Sequence, residues 1–306
     1  MKSNGKKLIA VIGATGHQGG AVVRALLESG TFKVRALSRN PNKHRGLADE
    51  TVGADLNRPE TLKAAFEGAH GVFLVTNAWE KGTDEIKQAT AAILAAKDAG
   101  VKHFVWSTLP NVEAISGGKF NVPHFTNKAK VDEVVKEAGF AHHTFVIAPY
   151  FYQNLVGVMA AQKQADGSLG WALPIDPDVR CIHMGDINEL GDIVAGAFAR
   201  PEEAGNGEYL PLVGDFMSFN EIVGTLNRQG HKFSFRQVPK EVFAALFPGG
   251  TKGGAEVADS FHYCQVHTYL GSDSRDRIAL ANKIAGRQPS KFSTWARVNV
   301  PVREAV

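Results

Sequence analysis

Along the first half of the chain, short apolar runs alternate with stretches whose apolar residues recur at helical spacing. Lys7 to Ile12 is the first run, and it stops at Gly13-Ala14-Thr15-Gly16-His17-Gln18-Gly19-Gly20. Ala21, Val22, Ala25, Leu26 and Leu27 then follow a helical period as far as Gly30, a natural C-terminal stop. Phe32 to Leu37 reads as a second strand and Val52 to Ala54 as a weak third, with a short helix over Glu60 to Phe66 closed by Gly68. Val72 to Thr76 is continuously apolar, the pattern of a strand buried on both faces of a parallel sheet. Thr83 opens a helix with Ile86, Ala89, Ile93 and Leu94 inward, which ends at Gly100. His103 to Ser107 is a strand, Phe125 to Glu137 a helix with Val131, Val134 and Val135 inward, and Thr144 to Ile147 a further strand. Strands alternating with helices in this way predict an α/β fold with a doubly wound parallel sheet.

The rhythm changes after Pro149. Ala165 to Pro177 and Pro248 to Glu256, rich in Gly, Pro and Asp, read as loops. Asp186 to Phe198 and Asn220 to Leu226 read as helices, and Tyr209 to Val213 as a strand. The expected organisation is a dinucleotide-type domain over residues 1–155 and a smaller α/β lobe over 156–306. Elements from about 180–228 are expected to return to the first domain's sheet.

Composition narrows the classes. The chain has 306 residues, 44% hydrophobic and 21% charged, which excludes disordered, collagenous and coiled-coil proteins. A formal net charge of +3 without a basic run argues against direct nucleic-acid binding. Two cysteines, Cys181 and Cys264, fit a reducing cytoplasm better than a disulfide scaffold. The apolar run at Leu8 to Ile12 is too short for a signal peptide. Ala138 to Gln162 carries no Asp, Glu, Lys or Arg, yet His142, His143, Pro149, Gln153 and Asn154 make it read as a buried strand followed by a helix rather than a membrane span.

The glycine turn carries the chemistry. Between a strand and a helix, Gly13 permits the tight turn, Gly16 lets backbone approach a pyrophosphate, and Gly19 lets helix and strand pack closely. Thr15, His17 and Gln18 lie in the same turn, whose amides and positive helix dipole favour an anion. An NAD site usually places an acid roughly 20 residues beyond such a turn. Here the second strand ends instead in Leu37-Ser38-Arg39-Asn40-Pro41-Asn42-Lys43. Arg39 can stack on adenine and fork onto a 2′-phosphate, with Ser38, Asn40 and Lys43 nearby. This favours NADP(H) and leaves NAD(H) open as a second cofactor; a solvated loop pair of Arg39 and Lys43 is the plainer alternative. Asp55 and Leu56 are placed to flank the adenine, and Thr76 and Asn77 to meet the nicotinamide-side ribose.

GATGHQGG at Gly13 to Gly20, SRNP at Ser38 to Pro41, GADLNRPETLKAAFEGAHGVF at Gly53 to Phe73 and PYFYQNL at Pro149 to Leu155 resemble the NmrA-like family of atypical short-chain dehydrogenase/reductases. The likeness spans about residues 6–230 and is loose beyond. It implies a Rossmann domain with NADP(H) in the cleft beside a small second lobe. The family includes redox-sensing regulators as well as reductases of quinones, dyes and phenolic ethers. It also implies that Phe151, Tyr152, Gln153 and Asn154 sit near the nicotinamide.

Short-chain dehydrogenases use a Tyr-x-x-x-Lys pair on one helix face, with a serine on the preceding strand. This chain reads His124-Phe125-Thr126-Asn127-Lys128, with Ser107 at the strand's end. Lys128 matches the family lysine, expected to hold the nicotinamide ribose, and His124 stands where the tyrosine would be. A neutral imidazole is a weak acid, which tilts the expectation towards a redox sensor acting through a protein partner. The competing expectation is an NADPH-dependent reductase of a quinone-like or conjugated carbonyl substrate. His262, Cys264 and His267 lack a fourth ligand nearby, so no metal site is expected.

Overall fold

The structure, a computed structural model, describes residues 5–164, 166–272 and 274–302. The first half follows the apolar periodicity closely: β1 (Lys7–Val11), α1 (His17–Glu28), β2 (Phe32–Ser38), β3 (Glu50–Gly53), α2 (Leu62–Phe66), β4 (Gly71–Leu74), α3 (Glu85–Asp98), β5 (His103–Thr108), α4 (Val112–Ser116), α5 (Pro123–Glu137) and β6 (His142–Ile147). The second half is more broken. It comprises β7 (Tyr150–Phe151), β8 (Gln162–Lys163), β9 (Leu169–Leu173), β10 (Ile182–Gly185), α6 (Leu190–Ala199), α7 (Pro201–Ala204), β11 (Asn206–Pro211), β12 (Asp215–Met217), α8 (Phe219–Arg228), β13 (Phe233–Gln237), α9 (Lys240–Leu246), α10 (Gly250–His267), α11 (Arg275–Ala285) and α12 (Phe292–Asn299).

The central sheet has seven strands in the order β11-β6-β5-β4-β1-β2-β3, and every neighbouring pair is parallel. The chain reverses direction across the sheet between β1 and β4, so their carboxyl ends splay apart and leave a crevice. Helices cover both faces. Val22 and Leu26 of α1 join Ile193 and Phe198 of α6 and Ile284 of α11 on one side. Leu62 and Phe66 of α2, Ile93 of α3 and Val131 and Val135 of α5 cover the other. A third core, with Tyr152, Trp171, Phe219, Phe261 and Trp295, holds the remaining elements around two three-stranded sheets, β12-β10-β7 and β13-β9-β8.

Several local expectations are corrected. Pro248 to Glu256 is not a loop: α10 begins at Gly250. Its glycines serve packing, because a Cβ at Gly254 would lie 2.6 Å from the Ala244 Cα and 2.7 Å from the Phe247 Cβ. In the stretch Ala165 to Pro177, Ala165 lies outside the described residues, and β9 (Leu169–Leu173) interrupts the expected loop because Trp171 and Leu173 are buried. The segment after Pro149 forms β7 and a single 3-10 turn over Tyr152–Val156 instead of a full helix. No helix among the described residues is long and apolar enough to cross a membrane.

Candidate functional site

A cleft of about 440 Å³ opens at the carboxyl ends of β1, β2 and β4. Gly13 takes φ +74°, and a Cβ there would come 2.7 Å from Val75 Cγ1. At Gly19 a Cβ would overlap the Gly13 carbonyl, so only glycine lets α1 start this close to the turn. Gly16 caps α1 with extended backbone, and the helix has neither a side-chain cap nor an acid in its first turn. Its first amides therefore remain available to an anion from the cleft.

Of the residues expected from sequence, Gly13, Thr15, Gly16, His17, Gln18, Gly19, Ser38, Arg39, Asp55, Leu56, Thr76, Asn77 and Phe151 all line this cleft. Ser38 Oγ accepts from the Asn40 amide at 3.1 Å, which shapes the turn that carries Arg39. Asn40 and Lys43 are exposed and outside the lining. Tyr152 turns away: it is buried in the third core, and its hydroxyl donates to the Ser290 carbonyl (3.1 Å) and to Asp215 Oδ2 (3.3 Å). Gln153 is taken by Asp186 Oδ1 (2.6 Å) and the Ile187 amide (3.2 Å), and Asn154 lies outside the lining. The sequence reading missed Asn57, Glu80 and Gln88, which also line the cleft; the Gln88 amide donates to Asn57 Oδ1 at 2.8 Å.

Ser107 is buried and donates to Gln18 Oε1 at 2.6 Å, tying β5 to the glycine turn rather than standing open. Lys128 is likewise committed. Its Nζ donates to the Thr76 carbonyl (2.9 Å), to Thr76 Oγ1 (2.9 Å) and to Glu85 Oε1 (2.7 Å). Burial pushes its ammonium below the ordinary lysine value, and the Glu85 carboxylate opposes that shift. Lys128 thus reaches the cleft through Thr76, the residue it fastens.

His124 opens α5 beside Pro123, and a carboxylate from α10 meets it there. Glu256 Oε1 of α10 accepts from the His124 backbone amide at 2.8 Å and from its Nδ1 at 2.6 Å. Burial raises the Glu256 carboxyl, but its bonds to His124 outweigh that and hold it below the usual carboxylate range. The carboxylate also sits at the positive end of α5, which has no acid of its own in the first turn. The His124 ring lies against Trp79, with centroids 4.9 Å apart. These residues, with Asp84, Glu85 and Asn127, line a second cavity of about 320 Å³, whose Ala78 and Trp79 follow directly on Thr76 and Asn77 of the first.

The sequence model of the NmrA-like family matches residues 5–296. The chain belongs to the NmrA-like family. An NmrA-like family domain-containing protein of Dictyostelium discoideum is 33% identical over 240 residues, 74% of this chain and 78% of its own. An NmrA-like family domain-containing oxidoreductase of Aspergillus hancockii is 32% identical over 253 residues, 75% of each. Among solved structures, NmrA, a negative transcriptional regulator, in complex with NADP superposes with a TM-score of 0.80 at 23% identity, covering 97% of this chain and 96% of its own. The NADPH-dependent quinone oxidoreductase QOR2 of Escherichia coli, complexed with NADPH, gives 0.74 at 21% identity, over 94% and 98%. The likeness to these structures establishes the NmrA-type Rossmann fold.

Proposed function

We propose that this NmrA-like protein binds NADP(H) along the first cleft and reduces a small conjugated electrophile held in the second cavity. The glycine turn fits such a dinucleotide, since its backbone leaves no room for a Cβ at Gly13 or Gly19 and keeps the α1 amides open. Gly13 to Gly19 would hold the diphosphate, Arg39 the 2′-phosphate, Asp55 and Leu56 the adenine side, and Thr76, Asn77 and Phe151 the nicotinamide side. When bound, the reduced cofactor supplies a hydride.

The observation that carries the reductase reading is the His124–Glu256 pair on the wall of an accessible cavity. Glu256 keeps the proton on Nδ1, which leaves Nε2 to exchange a proton with a bound substrate. As an imidazolium, His124 gives its Nε2 proton to the oxygen that gains charge, while Glu256 retains the Nδ1–H bond and offsets the ring's charge. Lys128 keeps Thr76 in place from behind. A carboxylate within hydrogen-bond reach of the His124 ring supports the reductase reading.

A redox-sensing role through a protein partner is the second reading. It is supported by Lys128, which is spent on Glu85 and Thr76 instead of facing the cleft. NADPH oxidation with a panel of quinones, aldehydes and enones separates the two. The reductase reading expects turnover, lowered about a hundredfold in His124→Asn by loss of the acid, and lowered less in Glu256→Gln. Absence of turnover with every electrophile, together with cofactor-dependent capture of a partner, contradicts it and supports the sensor.

A further inference from the structure

Arg39, the residue assigned to the 2′-phosphate, already holds an anion. Its guanidinium Nη1 pairs with Glu80 Oε1 across the mouth of the cleft, and both residues line it. Glu80 comes from the segment after β4, in which the Trp79 amide donates to Asn77 Oδ1 (3.1 Å) and the Thr83 amide to the Glu80 carbonyl (3.1 Å). The neighbouring Trp79 side chain does not line the dinucleotide cleft. It packs on His124 and lines the second cavity.

We propose that Glu80 is a stand-in for the 2′-phosphate: it occupies Arg39 until a phosphorylated dinucleotide displaces it, and its release moves Trp79 off His124. This rests on the NADP(H) reading of the cleft. A carboxylate and a phosphate dianion brought to one guanidinium repel each other, so the phosphate must gain Arg39 at the expense of Glu80. NAD(H), with a hydroxyl at that position, offers no charge to compete and leaves the pair closed. Glu80 therefore lowers NADP(H) affinity and makes the 2′-phosphate, rather than the nicotinamide, the signal that frees the His124 ring from Trp79. Both side chains are partly exposed, at 58% for Arg39 and 38% for Glu80, so the pair is weak enough to be exchanged at modest cost.

Nucleotide fragments without a nicotinamide test this on the full chain. Adenosine 2′,5′-bisphosphate and adenosine 5′-monophosphate are titrated by calorimetry, and intrinsic tryptophan emission is followed at saturation. Trp79 is 55% exposed whereas Trp106, Trp171 and Trp295 are buried, so a change at Trp79 dominates the signal. The bisphosphate is expected to change the emission although it carries nothing that reaches Trp79. The monophosphate leaves emission unchanged, and Trp79→Phe removes the response. Glu80→Gln is expected to raise bisphosphate affinity about threefold, the weight of an exposed pair, more than any change with the monophosphate. In an Arg39→Gln background the same substitution has no such effect. If Glu80→Gln weakens or does not alter bisphosphate binding, or if the emission stays flat, Glu80 is not a stand-in, while the cleft's assignment survives. If the folded chain takes up neither fragment nor NADP⁺, the cleft's assignment itself falls and this inference with it.

Discussion

Asp132, on α5 with its Oδ2 accepting from the Tyr209 hydroxyl at 2.9 Å, shows what burial does to one side chain. Burial pushes its carboxyl up to about 7, against the bonds from Thr108 and Tyr209 that would lower it. An unfolded aspartate titrates near about 3.9. The folded state therefore binds the proton more tightly, and the stability this confers is complete below about pH 4 and lost as pH climbs through 7. Each pH unit crossed in that window costs up to about 1.4 kcal/mol. Asp132→Asn stays neutral, so its unfolding midpoint is expected to fall less than the parent's between pH 5 and pH 8. Equal pH dependence in chemical denaturation would show that Asp132 is not charged at a cost. At this scale the glycine turn was legible in the sequence, because Gly13, Gly16 and Gly19 obey steric rules within one turn of chain. The acids that now define the site were not. Glu80, Glu85 and Glu256 meet Arg39, Lys128 and His124 only after folding, across 41, 43 and 132 residues.

Among the elements, those with a strong apolar period were placed correctly, although Leu94, expected inward on α3, is exposed; those whose glycines answer to packing were not. α10 has Gly253 and Gly254 in its first turns, which weakens it locally by about 1 kcal/mol each. It forms because Gly254 lets it lie directly on α9, and Phe261, Tyr263 and Cys264 bury its far end. The same device joins α6 to α11, where a Cβ at Gly196 would overlap the Ile284 carbonyl, and α6 to α1, where one at Gly191 would overlap the Ala21 carbonyl. Gly196→Ala is expected to destabilise the chain by about 1–3 kcal/mol through overpacking, seen as a lower thermal midpoint. A midpoint unchanged from the parent would mean that α6 and α11 are not held at this distance. α10 also carries Glu256 to the start of α5, so on the proposed reductase reading its loss lowers turnover as well as stability.

In the whole molecule, β11 closes the sheet edge beside β6, and α6 and α11 cover the α1 face, so late sequence completes an early scaffold. Tyr209 to Val213 reads as a strand in the sequence and β11 lies there, whereas α11 has no such pattern: its inward stripe is sparse, with only Ala281 and Ile284 fully buried. At the carboxyl ends of the strands Phe151 lines the cleft, and Glu256 of α10 meets His124. Calorimetric titration of the folded chain with NADP⁺ and NAD⁺ tests the account most directly. It predicts saturable NADP⁺ binding that Arg39→Gln weakens about ten- to a hundredfold, as expected for one charge-assisted phosphate contact, with far less change for NAD⁺. Failure of the folded protein to take up either dinucleotide would contradict it.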